Sequence, residues 1–116
     1  MAEITVYQKP TCTKCRQLNQ LLKDKGISYD AVNYYTDPIS KTKLKELVKK
    51  MGIPAVELFR KKETIYKELG LSQREINQEE AISLMIEHPD LLQRPIVEKG
   101  NKAVLARPIE RLEEIL

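Results

Sequence analysis

The only two cysteines of the chain, Cys12 and Cys15, lie close together between two predicted elements, and this pair constrains the fold most. The run Ile4–Tyr7 predicts a buried strand just before them. Leucines at helical spacing after them predict a helix from residue 13 to about 25. A thiol at a helix N-terminus meets the positive end of the dipole and unpaired N–H groups, which favour the thiolate. We therefore predict that Cys12 is a reactive sulfur rather than a packing residue.

Length and composition limit the possible classes of protein. A chain of 116 residues is expected to form one domain, residues 1–116, with 41% hydrophobic and 32% charged residues. It has neither an apolar stretch of roughly 20 residues nor the pattern of a signal peptide. We therefore expect a cytoplasmic protein that does not bind a membrane. In that compartment, this cysteine spacing favours redox or metal chemistry over a structural disulfide.

Metal and nucleic-acid sites are both poorly supported. Apart from the two cysteines, His88 is the only histidine, and two or three such ligands do not complete a tetrahedral zinc site. The net charge is +3, and the lysines alternate with acidic residues as on a solvated face. One Phe and no Trp leave little for stacking on bases. We predict no bound metal and no direct nucleic-acid partner.

The order of predicted elements indicates an α/β fold. Strands over 3–7 and 29–33 flank the first helix as a βαβ unit. A helical region over about 36–92 follows, with helices starting after Ser40 and at Asn77. Strands over 95–98 and 103–106 form a hairpin, and a last helix starts at Pro108. A parallel βαβ unit and an antiparallel hairpin predict a four-stranded mixed sheet. Because the cysteine pair lies at the first strand-to-helix junction, we predict a thioredoxin-like fold with a helical insertion.

Three arginines suggest what the thiolate acts on. Arg60 follows Leu58-Phe59, whereas Arg94 and Arg107 each precede a proline at the edge of the hairpin. The guanidinium fork offers several fixed donors to a tetrahedral oxyanion and stays charged. Around one thiolate, the three would lower the pKa of the Cys12 thiol and bind an oxyanion within attack distance.

Blocks along essentially the whole chain resemble the ArsC family of glutaredoxin-coupled arsenate reductases. These blocks are Pro10-x-Cys12, Leu58-x-Arg60-Lys61, Tyr66-x-Glu68-Leu69-Gly70-Leu71, His88-Pro89-x-Leu91-Leu92-x-Arg94-Pro95-Ile96-Val97 and Arg107-Pro108. The resemblance implies a thioredoxin-like fold and reduction of arsenate to arsenite. It also implies that Cys12 is the nucleophile, that Arg60, Arg94 and Arg107 bind the oxyanion, and that the bond before Pro95 is cis.

The resemblance further implies the reaction partners. No cofactor is bound; glutathione attacks the adduct between Cys12 and arsenate, and glutaredoxin reduces the mixed disulfide. Two departures bear on this cycle. Gln8 stands where the reductases commonly have a histidine, and Cys15 stands where they commonly have a non-thiol. Cys15 could form a disulfide with Cys12 and replace glutathione, which favours thioredoxin as the electron donor.

A second interpretation comes from the same superfamily. The Spx-type transcriptional regulators also resemble this chain, carry a C-x-x-C redox switch and bind RNA polymerase, so the polymerase α subunit is the partner expected under this alternative. Arg107 matches the reductases and favours an enzyme, whereas Cys15 favours the regulators. We therefore predict an oxidoreductase of arsenate reductase type, with a redox-sensing regulator as the alternative.

Overall fold

The computed structural model describes residues 3–116 of the chain. Backbone contacts divide it into two compact units, the first comprising the chain up to Pro38 together with Arg94–Leu116, and the second comprising Ile39–Gln93. The assignment of the whole chain to one domain stays a prediction. Over the described residues, no helix combines the length and the apolar character that crossing a membrane requires.

The first unit contains the predicted four-stranded mixed sheet. Its strands are β1 (Ile4–Gln8), β2 (Tyr29–Asn33), β3 (Ile96–Lys99) and β4 (Lys102–Leu105), in the spatial order β2-β1-β3-β4. β1 pairs with β2 in parallel and with β3 in antiparallel orientation, and β3 pairs with β4 as a hairpin. Parallel neighbours require a crossover, which the helix α1 (Thr13–Asp24) supplies between β1 and β2.

One face of this sheet packs on α1 and on a C-terminal 3₁₀ helix, Ile109–Ile115. Side chains alternate across a strand, so residues two apart in β1 reach the same core. The members of this core are almost fully buried: Ile4, Val6, Leu18, Leu22, Val97, Val104, Ala106, Leu112 and Ile115. The core fixes α1 against the end of β1, and this junction carries the two cysteines.

Within the second unit, the described residues form helices and short turns, with a single bridge between Phe59 and Leu92. Its α-helices are α2 (Lys41–Met51), α3 (Thr64–Glu68) and α4 (Gln78–Glu87). Three 3₁₀ turns lie between or after them: Ala55–Leu58, Leu71–Gln73 and Pro89–Leu91. This unit corresponds closely to the predicted helical region.

Local capping explains the helix ends that the sequence predicted. The Ser40 side chain accepts a hydrogen bond from the Lys43 N–H at 3.0 Å, and that of Asn77 accepts one from the Glu80 N–H at 2.8 Å. Gly52 ends α2 in the left-handed region, at φ +68°, where glycine has no steric penalty. At these three positions the residue type itself indicates a helix end.

Several predicted bounds were wrong by a residue. β1 runs over Ile4–Gln8 rather than 3–7, β3 begins after Pro95 because proline has no N–H for the ladder, and β4 begins at Lys102. Pro108 does not open the last helix: its ψ of 161° is extended, and the 3₁₀ helix begins at Ile109. The short helix α3 was not predicted, because its five residues bury no side chain fully and show no periodicity.

Candidate active site

Cys12 is the residue that caps the N-terminus of α1. Its backbone is extended, its N–H donates to the Lys9 carbonyl at 2.9 Å, and its own carbonyl accepts from the Arg16 N–H at 3.0 Å. No acidic residue lies in the first turn of α1. The thiol is therefore held where unpaired backbone N–H groups and the helix dipole favour negative charge.

The pKa of the Cys12 thiol is lowered from its ordinary value. Partial burial by itself would raise it, but the backbone N–H and thiol of Cys15, the guanidinium of Arg94 and the backbone N–H of Lys14 stabilise the thiolate and outweigh burial. The sequence predicted two of these causes, the helix terminus and an arginine. The surroundings of Cys12 thus favour the nucleophilic form of its sulfur.

Cys15 lies one helical turn along α1 and is fully buried. Burial raises the pKa of its thiol to about 12, and the neighbouring Cys12 sulfur adds to the rise. Both cysteines are free thiols. The pair is therefore asymmetric, with one sulfur disposed to ionise and the other kept protonated.

Arg94 is the most deeply buried charged side chain of the candidate site, with 5% of its surface exposed. Its Nη1 donates to the Tyr35 hydroxyl at 3.1 Å and to the Tyr34 hydroxyl at 3.5 Å. Its Nε is buried and has no hydrogen-bond partner within the described part of the chain. A buried donor without a partner is costly, so this atom marks a place that an anion would satisfy.

Arg107 is connected to Arg94 rather than to a carboxylate. Its Nη1 donates to the Arg94 backbone carbonyl at 3.1 Å. The peptide bonds before Pro95 and before Pro108 are both cis; the resemblance implied the first, and the second was not predicted. Cys12, Cys15, Arg94 and Arg107 all belong to the first unit.

Arg60 belongs to the second unit. Its N–H donates to the Leu91 carbonyl at 2.7 Å, and its Nη1 forms an ion pair with Glu63 at 2.7 Å. The side chain is about one quarter exposed. Arg60 therefore has an acidic partner of its own, whereas the contacts described for Arg94 and Arg107 are with hydroxyl and carbonyl oxygens.

From the sequence, Tyr34 and Tyr35 could either line the cleft or pack, and packing was favoured; their polar contacts were not predicted. Both hydroxyls accept hydrogen bonds from Arg94, and the two rings lie 5.1 Å apart between centroids. The position of the two tyrosines in the sequence could have indicated a role in the site. The pair follows the end of β2, which is the same edge of a parallel pair at which β1 delivers Cys12.

Gln8 occupies the position at which the family resemblance implies a histidine. It is 5% exposed, and its side-chain amide exchanges two hydrogen bonds with the amide of Asn19, at 2.8 and 3.2 Å. This reciprocal pair ties the end of β1 to the middle of α1. Over residues 3–116, no cluster of three or more His, Cys, Asp or Glu side chains is placed to hold a metal ion.

The mixed sheet and the thiol at its first strand-to-helix junction define a thioredoxin-like fold. Residues 7–115 match the family model described as the ArsC family, and the chain belongs to this family. The identification from sequence motifs is thereby confirmed. The chain is an oxidoreductase of the arsenate reductase type.

Relatives of similar length support this assignment. An arsenate reductase of Neisseria meningitidis is 35% identical, with both chains covered in full. An arsenate reductase of Haemophilus influenzae is 37% identical over 97% of this chain and 98% of the relative. A solved structure of an arsenate reductase from Vibrio cholerae is 35% identical over 97% of each chain, with a TM-score of 0.90. The regulatory alternative receives no support from these relatives.

Proposed function

We propose that this protein reduces arsenate to arsenite with the Cys12 thiolate as nucleophile and Arg94 as the central oxyanion ligand. The observation that carries the proposal is the buried guanidinium of Arg94, which stabilises the Cys12 thiolate while its Nε remains without a partner. A tetrahedral oxyanion would supply that partner and would be held next to the sulfur. Arg107 is proposed as a second ligand, and Arg60 as a third on the strength of the family resemblance.

The proposed reaction balances as a two-electron reduction. The Cys12 thiolate attacks arsenic(V), an S–As bond forms, and one arsenate oxygen leaves as water. A second thiol then attacks the Cys12 sulfur, the S–As bond breaks, and its electron pair stays on arsenic, which leaves as arsenite. Two thiols are thereby oxidised to one disulfide, which an external dithiol or glutathione reduces.

The second thiol comes from one of two sources. Cys15 belongs to the same helix turn as Cys12, and once the Cys12 sulfur is covalently bound, the negative charge that helps raise the pKa of Cys15 is gone. The product would then be a Cys12–Cys15 disulfide, for which thioredoxin is the expected reductant. If glutathione attacks instead, the product is a mixed disulfide on Cys12, for which glutaredoxin is the expected reductant.

A coupled assay tests the function. Purified protein is supplied with arsenate and NADPH, together with either the thioredoxin system or glutathione and glutaredoxin. We expect arsenate-dependent NADPH oxidation in at least one system, and its abolition by Cys12→Ser, because a hydroxyl is a weaker nucleophile and no redox partner. Turnover retained by Cys12→Ser, or the absence of turnover in both systems, would contradict the proposal.

Cys15→Ser separates the two sources of the second thiol. If Cys15 resolves the adduct, the variant loses the thioredoxin-dependent activity and turns over only with glutathione and glutaredoxin. If glutathione resolves it, the variant and the wild type behave alike in the glutaredoxin system. The wild-type protein with phosphate in place of arsenate is the control for uncoupled NADPH oxidation.

The adjacent free thiols also favour a second candidate, a redox-sensing regulator that binds the RNA polymerase α subunit. This candidate predicts capture of the α subunit by immobilised protein, with a capture yield that differs between the reduced and the oxidised forms. Cys12→Ser and Cys15→Ser should then abolish the difference. Equal capture in both redox states, or none, would leave the reductase as the function.

A further inference from the structure

Tyr35 lies between the loop that carries the nucleophile and the buried arginine. Its hydroxyl accepts the 3.1 Å hydrogen bond from Arg94 Nη1, and the Arg94 guanidinium carbon lies 5.8 Å from the centre of its ring. The Lys9 ammonium lies over the same ring, 4.7 Å from its centre. One side chain therefore contacts two cations from different segments of the first unit.

Both cations that Tyr35 contacts, Lys9 and Arg94, interact with Cys12. The Lys9 carbonyl accepts the 2.9 Å hydrogen bond from the Cys12 N–H, so the backbone that Lys9 belongs to also orients the nucleophile. The Arg94 guanidinium stabilises the Cys12 thiolate. Movement of Tyr35 would therefore change the position of the arginine relative to the sulfur.

The backbone of Tyr35 is itself fixed. Its N–H donates to Asn33 Oδ1 at 3.1 Å in the turn that follows β2. Two further N–H groups of this turn, those of Thr36 and Asp37, donate to the Asn33 carbonyl at 3.1 and 2.8 Å. A side chain mounted on such a turn keeps its direction, which a positioning role requires.

Tyr34 and Tyr35 differ in the geometry of their bonds to Arg94. The Tyr34 bond, at 3.5 Å, is at the limit of a hydrogen bond, whereas the Tyr35 bond of 3.1 Å is of ordinary length. Tyr34 is 3% exposed, whereas Tyr35 is half-buried. Tyr35 is therefore the residue whose hydroxyl can be removed with little change in the core.

We propose that Tyr35 is a positioning residue, whose hydroxyl fixes the Arg94 fork for the oxyanion and for the Cys12 thiolate. The inference rests on the proposed function for the oxyanion and on the structure alone for the thiolate. Because the hydroxyl is neutral, it anchors Nη1 without neutralising the charge that both anions need. A carboxylate in its place would anchor the arginine equally well and reduce its attraction for anions.

Tyr35→Phe tests the inference, with Tyr29→Phe as the matched control. Tyr29 is a half-buried tyrosine of β2 that packs against the core of the first unit. In Tyr35→Phe we expect the KM for arsenate to rise about tenfold, which is the loss expected for a hydrogen bond to a charged group. We expect kcat, measured at a pH above the pKa of Cys12, to be unchanged. The pH midpoint for alkylation of Cys12 by iodoacetamide should move upward. Tyr29→Phe should match the wild type in both measurements.

A double substitution with Arg94→Lys shows whether Tyr35 acts through Arg94. If it does, Tyr35→Phe adds nothing to the KM or to the alkylation midpoint of Arg94→Lys. Additive effects, or wild-type values in Tyr35→Phe alone, would overturn the inference. Alkylation needs no arsenate, so a protein without arsenate reductase activity still gives the midpoint, and the two proposals can fail separately.

Discussion

The candidate oxyanion-binding arginines of the two units lie in different electrostatic settings. In the first unit, Arg94 is almost fully buried and is anchored by tyrosine hydroxyls, and Arg107 donates to a backbone carbonyl. In the second unit, Arg60 is partly exposed and is ion-paired with Glu63. A neutral hydrogen-bond acceptor fixes a guanidinium without neutralising its positive charge, whereas a carboxylate competes with any incoming anion for that charge. We infer that an oxyanion is attracted mainly by the first unit.

The largest expected effect is on the two thiols beside Arg94. The pKa of Cys12 is lowered, so its thiolate is present from a lower pH than that of an ordinary thiol, whereas the pKa of Cys15 is raised to about 12. Near neutral pH the thiolate fraction of Cys12 should therefore be much larger than that of Cys15, since each pKa difference of one changes the fraction tenfold. Mass mapping after brief iodoacetamide treatment should find the label on Cys12. Comparable labelling of both cysteines would contradict this electrostatic description.

Substitution of the buried arginine should have the next largest effect. Arg94→Lys keeps a charge but loses the fork, and we expect kcat/KM for arsenate to fall by on the order of 10- to 100-fold, the range expected for hydrogen bonds to a charged group. Arg16→Lys, on the exposed surface of α1, is the matched control and should leave kcat/KM unchanged. A fall of equal size in both variants would show that the effect is not specific to the buried fork.

Arg107→Lys should have a smaller effect than Arg94→Lys. Arg107 is half-buried and its guanidinium donates to the Arg94 carbonyl, so the substitution keeps the charge and removes one donor of the fork. We expect kcat/KM for arsenate to fall about fivefold, as for a single hydrogen bond of about 1 kcal/mol. If Arg107→Lys lowered kcat/KM more than Arg94→Lys does, burial would not predict the relative contributions of these two arginines.

The smallest expected effect is in the second unit, and it has the opposite sign. Glu63→Gln removes the carboxylate that holds Arg60, so the KM for arsenate should decrease, by at most about fivefold given the strength of exposed ion pairs. Glu68→Gln, an exposed acid of α3, is the control and should change nothing. An increase in KM for Glu63→Gln would mean that Glu63 positions Arg60 rather than competing for it.

The sequence predicted the elements whose signals are local. Ser40, Gly52 and Asn77 mark helix ends through their own side-chain or backbone preferences, and the Gly100-Asn101 pair marks the hairpin, with Gly100 at φ +60°. The element order then fixed the mixed sheet, because few topologies connect a βαβ unit to a hairpin. The predicted helix start identified Cys12 as a site candidate, guanidinium chemistry identified the three arginines, and the family motifs agreed with both.

The remainder depends on contacts between distant segments. Tyr34 and Tyr35 look like packing residues because nothing nearby in sequence indicates that Arg94, about sixty positions later, donates to their hydroxyls. The partner of Arg60 is Glu63, only three positions away, yet no feature of the sequence distinguishes it from the other acids nearby. The local pattern of residues indicates the type of each element, but it does not indicate which way the side chains are oriented.

The mass of the Cys12 peptide after reaction tests directly whether the Cys12 thiolate attacks a bound oxyanion. Cys15→Ser protein is incubated with glutathione, with or without arsenate, and then digested and analysed. We expect a glutathione mixed disulfide on Cys12 that requires arsenate and becomes scarce when Arg94→Lys is added. A Cys12 peptide left unmodified, or modified equally without arsenate, would contradict the claim that a thiolate paired with Arg94 attacks a bound oxyanion.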